Sequence, residues 1–310
     1  LTVPYFDCLV WNNYNNAKEQ GLDAFAYTIS FEEKNDFYEK MFRLFAIPEE
    51  ARNFYLNCPG LSVSTVLLDN VGLYVENFSG TPYTEEENRI VKRFGNVFQQ
   101  TYTRFLDLQR AEEQTREAEI QLALERVRAR AMAMHSSQEL KEVVHVLRRQ
   151  MGMLGQKNLE TCVIHLHDES AEYIQSWAGI SPPDSGGEIL ETIAQVPKKG
   201  LLIIEEALAA YEAKRQEYVV LNEGEKLAQW FSFLEKASPD GYQKLSDSVH
   251  GDIAELRSYW SFADFSGGSL LMVTRDEPDE ATRGLLRRFS LVFGLAYRRF
   301  ADLKQAEAQA

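Results

Sequence analysis

Histidine is the side chain best suited to acid–base or metal chemistry near neutral pH. The chain holds five: His135, His145, His165, His167 and His250. His165 and His167 lie two apart in an alternating, β-rich run, which puts both imidazoles on one face of a strand, and Asp168 follows directly. Two imidazoles on one face begin a metal site, but spacing supplies no third ligand. The pair is read as polar lining of a pocket or of a solvent face, with no metal. His135 precedes Ser136-Ser137-Gln138-Glu139-Leu140 and lacks the acidic neighbour and downstream proline of a phospho-accepting histidine. It reads as the junction before a helix cap.

Nucleophilic and phosphate chemistry find no motif. No GxSxG elbow occurs, nor GxGxxG, nor GxxxxGK followed by Ser or Thr. Carboxylate pairs such as Glu32-Glu33 and Glu205-Glu206 read as solvated helix surface, and nothing marks one as a general acid. No catalytic residue is therefore expected. Aromatic side chains are the unusual resource. Trp260 and Phe262 share one strand face, as do Tyr173 and Trp177. Most such rings belong to cores. The alternative is a cavity over a sheet, lined by His165, His167, Tyr173, Trp177, Trp230, Trp260 and Phe262, that takes a small planar ligand. Which cofactor it would hold, the residues do not say.

These side chains need a scaffold, and a repeat supplies its outline. Arg93–Glu112 (RFGNVFQQTYTRFLDLQRAE) matches Arg288–Glu307 (RFSLVFGLAYRRFADLKQAE) at an offset of 195, with 11 of 20 positions identical. Phe94/Phe289, Phe98/Phe293, Tyr102/Tyr297 and Phe105/Phe300 are among the identities. Upstream the match is weaker: Val3-Pro4 with Val196-Pro197, Tyr14 with Tyr211, Ala46-Ile47-Pro48 with Ala237-Ser238-Pro239. The second copy runs from about Ser136 to the end. The first lacks a counterpart of roughly Ser136–Gln195 and is read as N-terminally incomplete.

The second copy parses element by element. Ser136 and Glu139 stand at capping-box spacing, and Leu140, Val143, Val144, Leu147 and Met151 form a helical stripe ended by Gly155. Thr161–His167 and Glu172–Ala178 alternate as a hairpin. Ser181–Gly187 reads as a loop, 200–213 as a helix, 217–221 as a strand and 226–236 as a further helix. Leu256–Phe265 and Ser269–Arg275 form a second hairpin, and a long helix follows from Asp279. In that helix Phe289, Val292, Phe293, Ala296 and Phe300 make a core-facing stripe. The sum is an α+β sandwich around an antiparallel sheet.

Between the copies, Glu85–Met134 contains no proline and one glycine, Gly95. Leu108, Ala111, Thr115, Ala118, Leu122, Ala129 and Met132 fall on 3-4 spacing, interrupted by Glu125, a heptad seam rich in small residues. Such a seam suits a loosely held parallel dimer able to rotate or shift register. The domain reading is residues 1–108 and 136–310, joined by a signalling helix over 85–134.

Composition bounds the rest. The 310 residues are 45% hydrophobic and 26% charged, as in folded domains. With 33 basic and 47 acidic side chains the net charge is −14, which disfavours general binding to nucleic acid or anionic lipid. Cys8, Cys58 and Cys162 are scattered and read as reduced thiols, the usage of a cytoplasmic protein. The longest apolar runs, Gly200–Ile204 and Ser269–Val273, fall far short of a membrane span. Leu1 in place of Met, and helical character through Ala310, read as a slice of a longer polypeptide.

The run LERVRARAMAMHSSQEL (Leu124–Leu140), together with RFSLVFGLAYRRFADLKQAEAQA (Arg288–Ala310), resembles bacterial multidomain sensor proteins. In that group GAF-like units alternate with this helix upstream of a histidine-kinase or nucleotide-cyclase domain. The resemblance covers nearly all of Val3–Ala310 and is stronger for helices than for strands. It implies two GAF-like α/β sandwich domains on a connecting helix, working as a non-enzymatic sensory input module of a two-component-type system. It implies a homodimer through that helix and relay of a ligand or partner signal to an output domain, a histidine kinase first and a cyclase second. It supplies no ligand: the Asn-Lys-Phe-Asp-Glu signature of cyclic-nucleotide-binding GAF domains is absent, as is the Cys-His pair of bilin-binding ones. A ligand-free dimerisation spacer, and an enzyme with an unrecognised pocket in the second domain, remain as rival readings.

Overall fold

The computed structural model describes residues 6–69, 71–156, 159–180, 189–239, 242, 243, 246 and 256–309. His250 and the loop expected at Ser181–Gly187 lie outside the described residues. The chain is mixed α+β and divides into two compact units, Leu1–Gln114 and Thr115–Ala310. The division falls inside one long helix.

Unit 1 runs α1 (Leu9–Glu19), β1 (Ala24–Ile29), α2 (Phe31–Leu44), α3 (Glu49–Asn57), β2 (Leu61–Leu67), β3 (Gly72–Asn77), then α4 (Glu85–Met132). The strands form an antiparallel sheet in the order β1-β2-β3. Ser30 and Glu33 cap α2 reciprocally, satisfying two orphan amides of its first turn. Thr84 and Glu87 do the same for α4. Tyr38 anchors an aromatic cluster, its ring 4.7 Å from Tyr55 and 5.9 Å from Phe42, over Ile29, Leu61 and Val63.

Unit 2 contains the C-terminal part of α4, then α5 (Leu140–Met153), β4 (Leu159–Leu166), β5 (Tyr173–Ile180), β6 (Leu190–Pro197), α6 (Leu202–Glu212), β7 (Glu217–Glu223), α7 (Gly224–Ala237), β8 (Arg257–Phe265), β9 (Gly268–Thr274) and α8 (Glu280–Gln309). Its six strands are antiparallel in the order β6-β5-β4-β9-β8-β7. Gly268 permits the central pairing of β9 with β4, because a Cβ there would lie 2.0 Å from the His165 carbonyl oxygen. Both faces of the sheet are covered. On one, Leu124, Val127, Ala131, Val143, Leu147, Met151, Phe289 and Phe293 from α4, α5 and α8 form a core with Cys162, Ile164 and Trp177. On the other, Ile203, Ile204 and Ala207 of α6 and Trp230 of α7 pack with Val163, Trp260, Phe262 and Leu271.

The units repeat in three dimensions. α1, β1 and α2 each begin 193 residues before α6, β7 and α7 (Leu9 and Leu202, Ala24 and Glu217, Phe31 and Gly224). The sheet β1-β2-β3 has the connectivity of β7-β8-β9. Among the described residues, unit 1 has no element matching α5, β4, β5 or β6.

Candidate functional site

Alternation along the strands decides what the unit 2 sheet offers to each face. Val163 and His165 of β4, Ser176 and Ala178 of β5, Asn222 of β7, Ser258 and Trp260 of β8, and Leu271 of β9 all point towards α6 and α7. Leu227, Trp230, Phe231 and Leu234 of α7 form the roof of a cavity of about 340 Å³. Trp230 and Trp260 meet edge to face at 4.7 Å and make an aromatic corner. The wall is mainly apolar, with a few polar groups directed inwards, the composition typical of small-molecule sites. Arg275 stands at the rim, held by Glu160 at 2.6 Å.

Two polar groups define the chemistry inside. The His165 imidazole is buried and uncharged: loss of solvation pushes its pKa down to about 3, with the neighbouring His167 adding to the effect. Asn222 is fully buried, and neither its Nδ2 nor its Oδ1 makes a hydrogen bond among the described residues. A buried amide without partners costs about 1–3 kcal/mol. The residue lines the cavity, with its donor and acceptor shielded from solvent.

A second, more open cleft of about 770 Å³ lies past the end of β4. His167 and Tyr211 stack there at 4.3 Å with an interplanar angle of 9°, near Lys198, Asp264 and Arg287. Ser269 Oγ donates to Asp264 Oδ1 at 2.7 Å and lies 3.4 Å from His167 Nε2. A Ser, a His and an Asp are thus in contact, but the serine is fully buried and spends its proton on the aspartate. In a nucleophilic triad the imidazole stands between the other two, so this trio does not activate Ser269. Burial raises Asp264 to about 6 against the opposing hydrogen bonds from Ser269 and Tyr218. Burial lowers His167 to about 4, with the Lys198 charge in the same direction.

No family model matches the chain, and no curated protein matches it.

The seven residues expected to line one pocket do not all come together. His165, Trp230 and Trp260 line the cavity beneath α7, and Phe262 packs at 6.4 Å from Trp260 in the core beside it. His167 belongs to the open cleft. Trp177 and Tyr173 do not reach either: Trp177 faces the opposite layer, in the core with α4, α5 and α8, and Tyr173 is exposed near the end of β5. The parity of the pair is as read, but it selects the other face of the sheet. Asn222 and Ser258, absent from that expectation, sit on the cavity wall. Among the described residues no three His, Cys, Asp or Glu side chains come together as a metal site. His145 Nδ1 pairs with Glu191 at 2.7 Å, tying α5 to β6, and the His135 amide donates to the Glu139 carboxylate.

The seam residues Leu108, Ala111, Thr115, Ala118, Leu122, Ala129 and Met132 are all exposed on α4. Ala123, Leu124, Val127 and Ala131 are buried in unit 2. α4 therefore carries two stripes, one packed in unit 2 and one exposed. Among the described residues no helix is long and apolar enough to cross a membrane.

Proposed function

We propose that the chain is a GAF-like sensory input module of a cytoplasmic signalling protein. Unit 2 takes up a small planar molecule in the cavity beneath α7. Occupancy moves α7 against the sheet, and the change passes through α4 and α8 to an output domain, a histidine kinase or, alternatively, a nucleotide cyclase. The observation that carries this reading is Asn222: a donor and an acceptor, both buried and unpaired, on the wall of an aromatic-lined cavity. Such an amide is costly unless something completes its hydrogen bonds. The antiparallel sheet covered by helices on both faces supports the GAF-like reading. The exposed stripe on α4 supports a parallel homodimer.

The test is a screen of nucleotides, haem, flavin and aromatic acids against Trp fluorescence and melting temperature. Uptake quenches emission from Trp230 and Trp260 and raises the melting temperature. Asn222→Leu removes the unpaired amide, so it leaves the free protein equally or more stable and abolishes the response. A panel-wide lack of response, or an undiminished response in Asn222→Leu, would count against the reading. For the dimer, light scattering reports a two-chain particle that Leu122→Glu converts to a monomer.

A further inference from the structure

The same aromatic ladder is treated oppositely in the two units. Phe289, Phe293 and Phe300 of α8 are 0, 1 and 8% exposed, beneath α5 and the C-terminal part of α4. Their counterparts on α4 in unit 1, Phe94, Phe98 and Phe105, are 67, 40 and 51% exposed. The ring geometry is shared: Phe98–Tyr102–Phe105 at 5.7 and 6.4 Å, Phe293–Tyr297–Phe300 at 5.8 and 6.2 Å. The seating on the sheet is shared too. Gly95 lies directly against Val66 of β2, and its counterpart Ser290 donates to the Ala263 carbonyl of β8.

The sheet edge repeats the contrast. β9 is buried along its whole length between β8 and β4. Its counterpart β3 pairs with β2 on one side and, among the described residues, with no strand on the other; Tyr74 and Val75 stand exposed. Charge follows suit. Arg288 grips Glu117 through two hydrogen bonds of 2.6 and 3.0 Å, while Arg93, its counterpart, has no ion pair among the described residues.

In unit 2 one stretch of chain meets all three needs. Glu117 takes Arg288, the Val143, Val144, Leu147 and Met151 face of α5 joins the core that buries the phenylalanines, and β4 pairs antiparallel with β9. We propose that unit 1 docks a partner segment of that build. It is an amphipathic helix followed by a β-strand, the strand adding antiparallel to the free edge of β3. The helix lays an aliphatic face across Phe94, Phe98 and Phe105, and a carboxylate meets Arg93. A second copy of the chain has no spare segment of this kind, because its own α5 and β4 are already built into unit 2.

The probe is a fluorescein-labelled peptide of residues 115–166 of this sequence, titrated with the full 310-residue chain and followed by anisotropy. A saturable rise in the micromolar range is expected. Phe98→Glu weakens it at least about tenfold. Arg93→Glu weakens it as well and is rescued by a peptide carrying Glu117→Arg. Both side chains are exposed, so the variants keep the fold, which circular dichroism checks. No saturation up to about 100 μM, or equal affinity in the variants, overturns the proposal. So does a full-chain dimer that Phe98→Glu dissociates, since that assigns the stripe to a second copy.

Discussion

Truncating the same phenylalanine in each repeat should have unequal consequences. Phe289 is fully buried, and Phe94, at the matching position, is two-thirds exposed. A buried phenylalanine covers roughly 150–250 Å², which at about 25 cal/mol per Å² corresponds to roughly 4–6 kcal/mol. Phe→Ala keeps the Cβ and leaves a cavity, and such truncations cost about 3–5 kcal/mol in practice. Phe289→Ala is expected in that range. Phe94 has only a third of its surface covered, so Phe94→Ala should cost about 1 kcal/mol. Urea unfolding measures both. Three of the four tryptophans (Trp177, Trp230 and Trp260) lie in unit 2, so fluorescence weights that unit, while far-UV circular dichroism follows the whole chain. If Phe94→Ala costs as much as Phe289→Ala in the free chain, the unit 1 stripe is already covered, and the docking surface does not exist. If the argument holds, Phe94→Ala changes little by itself but weakens capture of the peptide.

Other expectations follow from buried charge and close packing. His165 and His167 titrate well below the unfolded value of about 6.5, so they are neutral in both states above it. Below it only the unfolded chain takes up their protons, and each buried imidazole removes up to about 1.4 kcal/mol of stability per pH unit until its folded value is reached. Asp264 acts in the opposite sense, because its raised pKa lets the folded chain hold a proton between about 4 and 6; its partial exposure makes this offset smaller. Urea midpoints at pH 7 and 5 should therefore fall with acid, less steeply in His165→Gln and more steeply in Asp264→Asn. On α8, a Cβ at Gly294 would stand 2.6 Å from that of Phe265, whereas Gly284 faces open space. Gly294→Ala is expected to destabilise by about 1–3 kcal/mol and Gly284→Ala to stabilise by up to about 1 kcal/mol, both read from thermal melts.

The helices and hairpins of unit 2 were the most legible parts of the chain. The stripe from Leu140 to Met151 and the capping box of Ser136 and Glu139 depend on contacts within a few residues, which sequence spacing records. Strand β6 was not legible. It is an edge strand whose exposure alternates, and Glu191, Thr192 and Gln195 dilute its apolar signal. The face that Trp177 takes is hidden for a different reason. Both faces of the sheet are covered by helices, so both parities of β5 carry apolar residues, and the pattern cannot say which layer a tryptophan enters. Asn222 is hard to place from sequence for a local reason: asparagine is a poor strand former, so the β-rich pattern ends at Leu221, while the sheet carries the strand on to Glu223. Its importance lies in what it fails to touch, a property only the folded chain reveals.

The free edge of β3 also bears on how the chain behaves in concentrated solution. Among the described residues no strand covers that edge, and a strand left so with Tyr74 and Val75 exposed is adhesive towards any other edge, its own twin included. The excess of 47 acidic over 33 basic side chains acts as a colloidal guard, holding like molecules apart before their edges touch. That repulsion reaches about 10 Å at 0.1 M salt and about 3 Å at 1 M. Salt that leaves the fold intact should therefore make the protein cloudy, and a lysine in place of Val75 should keep it clear.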